Sequence, residues 1–215
     1  MKKNYKSTVN ACFAGYVVQA IVNNFVPLLF LTFNKSYGIE LSKITALITV
    51  NFILQLIIDL LSAFFIDKIG YRAAAIMAHM FAAAGLVSLT VLPDVLPSPF
   101  VGLLISVVLY AVGGGLLEVI VSPIVEACPT DNKEKMMSLL HSFYCWGSVA
   151  VVGISTLYFS IFTTANWKYL ALIWAVVPIV NALNFIRVPI APLKGRRVSL
   201  LNSCSATECS GYSCC

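Results

Sequence analysis

Six long runs of apolar residues, joined by short polar connections, constrain this chain more than any other feature. The first run reads "ACFAGYVVQAIVNNFVPLLFLTF", from Ala11 to Phe33. The others cover about 44–66, 73–92, 101–126, 138–162 and 167–188. Each matches the ~20 residues that an α-helix needs to cross a hydrocarbon core about 30 Å thick. Water is absent there, so every peptide group must bond within its own segment, and the spans must be helices. Composition agrees: 60% of residues are hydrophobic and 11% are charged, against about 45–50% and about 25% in soluble domains. The expected fold is all-α, with six transmembrane helices in one bundle over 1–192. The connections are too short to separate domains.

Charge orients the bundle. If the N-terminus lies inside, Lys2, Lys3, Lys6, Lys68, Arg72, Lys133, Lys135, Arg187, Lys194, Arg196 and Arg197 collect on the cytoplasmic side, leaving Lys35, Lys43 and Lys168 outside. That bias follows the positive-inside rule and predicts a multi-pass plasma-membrane protein with both termini cytoplasmic. The net charge of +5 is spread over short loops and tails, with no basic patch for nucleic acid. Cys12, Cys128 and Cys145 have no metal-site or disulfide spacing. Neither a metal nor a cofactor is implied.

Polar residues inside the spans recur at helical spacing. Asn51, Gln55 and Asp59 stand at i, i+4 and i+8 in the second span and share a face, as Gln19 and Asn23 do in the first. Tyr110, Gly114, Glu118 and Ser122 form a broad stripe on the fourth span, and His141, Cys145 and Ser148 form a weaker line on the fifth. Such faces suit either interhelical hydrogen bonding or a water-lined cavity. The carboxylates favour the cavity, because a charge at the bilayer centre costs about 2.5–3.5 kcal/mol and marks substrate or proton paths. Asp59 and Glu118 each precede another acid, Asp67 and Glu126, by eight residues, which places them roughly 12 Å in from the cytoplasmic end. His79 enters from the same side and suits hydrogen-bonded packing better than a functional role.

The stretch "GGGLLEVIVSPIVEA", Gly113 to Ala127, adds a helix breaker to the buried acid. Pro123 removes a backbone bond just past Glu118 and is expected to kink the helix, an arrangement common at transporter sites. The glycines, with Ala82 to Gly85, Gly147 and Gly153, would let helices approach closely.

Between the second and third spans stands "AFFIDKIGYRA", Ala63 to Ala73. It resembles the signature loop of the major facilitator superfamily, G-x-x-x-D-[RK]-x-G-x-[RK]-[RK]. Asp67, Lys68, Gly70 and Arg72 match; Ala63 replaces the first glycine and Ala73 the last basic residue. The fourth and fifth spans, "GLLEVIVSPIVEA" and "LLHSFYCWGSVAVVG", look like those of the fucose-permease-like sugar symporters of that superfamily. Ser122 stands where that group commonly carries asparagine. The resemblance implies one six-helix half of an alternating-access carrier, with Glu118 exchanging a proton. It further implies a cavity lined by Gln19, Asn23, Asn51, Gln55 and Asp59, and a gate biased by Asp67, Lys68 and Arg72 with Gly70 at the turn.

Composition changes after about Leu193, where "KGRRVSLLNSCSATECSGYSCC" is rich in serine and cysteine. The expectation is a disordered tail over 193–215, arising from a frameshift or truncation. The implied partners are a small solute, protons, the lipid bilayer, and a missing second half or a second copy of the chain. A non-transporting membrane binding or assembly protein is the rival. An enzyme is disfavoured, because the chain has no nucleophile–base pair, HExxH or phosphate-binding loop.

Overall fold

The computed structural model describes residues 5–130 and 132–191. The tail over 193–215 lies outside the described residues. Within them the chain is helical: α1 (Lys6–Leu28), α2 (Phe30–Tyr37), α3 (Leu41–Ile69), α4 (Tyr71–Val95), α5 (Pro99–Ala127), α6 (Lys133–Phe162) and α7 (Trp167–Arg187). A single turn of 3₁₀-helix, Thr164–Asn166, joins α6 to α7. Six of these helices are long and apolar enough to cross a membrane.

The first apolar run is one span by composition but two helices by backbone. Pro27 has no N–H to continue the ladder, and the chain turns at Leu29 (φ −92°, ψ 3°), whose amide bonds Val26 O at 2.9 Å. The fourth span behaves differently, because α5 runs through Pro123 without interruption to Ala127. The connection between α3 and α4 is one residue long. Gly70 holds φ +88° and ψ 143°, a backbone state that a residue with a Cβ rarely enters. Its amide closes α3 on Ile66 O at 2.8 Å while its carbonyl accepts from Ala74 N at 3.0 Å.

Packing sorts the helices into two layers. α4 packs along α5 and α7, α1 along α6 and α5, and α3 along α5. The α4–α5 seam is the tightest, and glycines make it so. A Cβ on Gly113 would stand 2.6 Å from Ala78 O and Ala82 N, one on Gly102 would stand 2.6 Å from Leu92 O, and one on Gly85 would stand 2.5 Å from Tyr110 N. The three consecutive glycines point three ways, as 100° steps around a helix require. Gly113 meets α4, Gly114 meets Val22 of α1 and Gln55 of α3, and Gly115 meets Gln55 and Ile58 of α3. Gly147 seats α6 on Ala20 and Val17, whereas Gly153 has nothing within 4 Å and supports no close packing.

Polar ties sit at both ends. Tyr37 donates to Asp94 at 2.9 Å, and Asp94 pairs with Lys168, so α2, α4 and α7 meet at the end that carries Lys35, Lys43 and Lys168. Burial and the neighbouring Asp94 carboxylate push the Tyr37 phenol above its ordinary pKa. At the opposite end the Arg72 guanidinium donates to Phe185 O (2.8 Å), Ile186 O (2.7 Å) and Val188 O (2.7 Å). It caps the last carbonyls of α7, which no intrahelical N–H reaches. Thr8 adds a bond to Pro189 O at 2.5 Å.

Candidate functional site

A cavity of about 400 Å³ opens on one side of the bundle. Its wall is drawn from four helices: Tyr16, Gln19 and Asn23 of α1, Phe52, Gln55, Leu56 and Asp59 of α3, Glu118 of α5, and His141 and Tyr144 of α6. The helices α4 and α7 contribute nothing to it and stand behind. Of the six residues assigned to the cavity, Gln19, Asn23, Gln55, Asp59 and Glu118 reach this wall and Asn51 does not. Asn51 lies one turn further along α3, buried, and accepts from Gln55 Nε2 at 2.9 Å.

The amides form a connected network. Asn23 Oδ1 accepts from Gln55 Nε2 at 2.7 Å and from Asn51 Nδ2 at 3.4 Å. Asn23 Nδ2 donates to the Tyr144 hydroxyl at 3.3 Å, which joins α1, α3 and α6. Gln19, buried at 4% exposure, donates through Nε2 to Glu118 Oε2 at 3.1 Å, and its Oε1 has no partner among the described residues. The Tyr16 hydroxyl and Ser122 Oγ are hydrogen-bonded at 2.9 Å. Both carboxylates lie exposed on the open side of the wall. No lysine or arginine stands among the lining residues.

Several residues depart from the stripe pattern. Tyr110 is wholly buried in the α4–α5 seam against Gly85 instead of joining Glu118 and Ser122. Eight residues carry a side chain about 80° around the helix, which is enough to leave the cavity for the interface. On α6, His141 reaches the wall, Ser148 accepts from Asn24 Nδ2 at 3.1 Å, and Cys145 is exposed away from both. His79 is fully buried behind the cavity, with Nδ1 bonding Ala75 O and Nε2 bonding Asn181 Nδ2, each at 2.7 Å. A helix carbonyl only accepts, so Nδ1 carries the proton and Nε2 receives the amide N–H. In the signature loop, Asp67 and Lys68 are exposed and form no ion pair with another described residue, while Arg72 is engaged on α7. Any charge relay there would have to involve groups beyond these residues.

Tyr16, Phe52, Leu56 and Tyr144 complete the wall although no sequence feature singled them out. Spacing held a signal for two of them: Tyr16 precedes Gln19 by three residues, and Tyr144 follows His141 by three.

A six-helix half with a polar cavity backed by two packing helices is a recognisable architecture, and the sequence model of the Major Facilitator Superfamily matches residues 11–200. The chain belongs to the major facilitator superfamily. It is an integral membrane protein of that family, whose members are carriers and not enzymes. Among solved structures, the chain is similar to the inward-open xylose transporter XylE of E. coli. Identity is 14%, 88% of this chain and 49% of that one are covered, and the TM-score is 0.77. A D-xylose–proton symporter gives 15% identity, coverage of 95% and 52%, and a TM-score of 0.74. XylE bound to 6-bromo-6-deoxy-D-glucose gives 14%, 86% and 45%, and 0.72. At these identities the likeness is one of fold, and the chain spans about half the length of each. No curated protein matches at a significant level.

Proposed function

We propose that this major-facilitator chain supplies one half of an alternating-access carrier for a small, polar, sugar-like solute, with transport coupled to protons through Glu118. The observation that carries the reading is the cavity wall itself. Four helices converge amides, phenols and two carboxylates on one opening, and intramembrane carboxylates are costly enough to mark function. Glu118 is the proton-exchanging group, because its carboxylate is both exposed to the cavity and bonded to Gln19. Gln19, Asn23 and Gln55 orient the solute, with Asn51 fixing Gln55. Pro123 leaves the Val119 carbonyl without its helical donor one residue past Glu118, and the helix flexes there. Asp67, Lys68 and Gly70 bias the gate, and Arg72 anchors it to α7.

The carrier requires a second six-helix half, either as further sequence or as a second copy, set in the plasma membrane with both termini cytoplasmic. Similarity in fold to a D-xylose–proton symporter supports the sugar-like class. The test uses a complete, active assembly reconstituted in vesicles. Glu118→Gln is expected to abolish uptake driven by a proton gradient while leaving counterflow exchange. Gradient-driven uptake unchanged by the substitution would refute the coupling role and favour a non-transporting binding or assembly protein.

A further inference from the structure

The hydrogen-bond inventory of the wall is lopsided. Each amide nitrogen is engaged: Gln19 on Glu118, Asn23 on Tyr144, Asn51 on Asn23, and Gln55 on both Asn23 and Asn51. Gln19, Asn23 and Asn51 each keep one further N–H, while two acceptor groups have no partner at all among the described residues. Gln19 Oε1 is buried without a partner, and buried acceptors left unpaired cost about 1–3 kcal/mol until something donates to them. The Asp59 carboxylate, exposed on the cavity, makes no hydrogen bond or ion pair with a described residue. His141 is the one lining residue able to become cationic, and it stands against the Tyr16 ring with centroids 5.6 Å apart. Tyr16, Tyr144 and Phe52 bring aromatic faces to the same space, a favourable setting for an organic cation.

We propose that Asp59 recognises a protonated amine on the solute, so that this half-site prefers amine-bearing polyols over their neutral and acidic analogues. The proposal rests on the transport reading above and narrows its substrate class. Two carboxylates allow two positive charges to be held together. Glu118 keeps the coupling proton and Asp59 pairs the ammonium. An anionic solute would meet two acids with no lysine or arginine to offset them.

The test is a binding measurement on the 215-residue chain in lipid nanodiscs by titration calorimetry. It compares D-glucose, D-glucosamine and D-glucuronate at about pH 7, where an aliphatic amine is largely protonated. Glucosamine is expected to bind about tenfold more tightly than glucose, a modest share of the Coulomb attraction available at a partly exposed site, and glucuronate least tightly. Asp59→Asn should bring the glucosamine-to-glucose ratio close to one, and Asp59→Glu should retain the preference. Raised salt should shrink it. Glucose binding as well as glucosamine in the parent chain, or a preference that survives Asp59→Asn, would overturn the amine assignment and leave the transport reading standing. Binding of none of the three would overturn the amine assignment, while the transport reading is decided by the Glu118→Gln uptake test on the complete assembly.

Discussion

Alanine in place of a single glycine should separate packing from tolerance in this bundle. At Gly113 the added Cβ would stand 2.6 Å from Ala78 O and Ala82 N, against the 3.4 Å at which ordinary contact begins. Both obstructing atoms are backbone, so no rotamer change relieves the clash, and α4 and α5 must move apart along the seam that Gly85 and Gly102 also hold close. Overpacking of this kind costs about 1–3 kcal/mol, and alanine returns at most about 1 kcal/mol of helix propensity. A net destabilisation of about 1–2 kcal/mol is expected. Gly153 is the control, because its Cβ would meet nothing within 4 Å, so Gly153→Ala should be neutral or stabilising by up to about 1 kcal/mol. Both variants can be followed by tryptophan fluorescence during SDS unfolding in mixed micelles, with Trp146, Trp167 and Trp174 as reporters. Equal stability of Gly113→Ala and the parent, or equal losses in the two variants, would refute the assignment of the seam.

Arg72→Ala should lower stability by about 1–2 kcal/mol, since two α7 carbonyls and that of Val188 just beyond lose a charged donor but stay near water; Arg72→Lys should recover only part of it in the same unfolding assay. Asn181→Leu leaves His79 Nε2 unpaired in the core and removes the second donor to Ala11 O, and should cost about 1–3 kcal/mol. A double-mutant cycle with His79→Phe checks this, and additivity would contradict it. Thr163 holds φ +63° and ψ 159° between α6 and the 3₁₀ turn, a region suited to glycine at a cost of about 1–3 kcal/mol for other residues. Thr163→Gly should therefore raise the unfolding midpoint, whereas Thr163→Val should not.

The helices and the acidic cavity were legible for the same reason: a polar residue inside an apolar run stands out. Asn51, Gln55 and Asp59 share a face by their spacing, and that face did turn inward, with Gln55 and Asp59 on the wall and Asn51 behind them. Aromatic lining residues carry no such contrast. Phe52 and Leu56 read like any lipid-facing residue, and only the arrival of α1, α5 and α6 beside them makes them walls. Tyr110 erred in the opposite sense, because a phenol 80° off the Glu118 face falls into the seam. The break at Leu29 was hidden because "VPLLF" is apolar on both sides of the proline. Nor does a run of three glycines state which neighbour each will meet; that depends on helices placed by the remainder of the chain.

Burial carries the argument one step beyond any single residue. The spans α1 and α5 are the most enclosed, while α3 and α6 are the least. Much of the exposed surface on those two flanks is apolar: Leu60 and Phe64 on α3, Trp146 and Leu157 on α6. Between these flanks lies the cavity, with Asp59 and Glu118 exposed at its opening. Lipid can cover leucine and tryptophan without cost, but each ionised carboxylate left facing acyl chains costs about 2.5–3.5 kcal/mol. The same side of the bundle is therefore greasy at its edges and polar at its centre, which lipid alone does not suit. A second six-helix half meeting α3 and α6 at the edges and leaving water between would suit both. On that geometry α4 and α7 face the bilayer from behind the site, where the α4–α5 glycine seam and the Arg72 cap on α7 brace the polar wall.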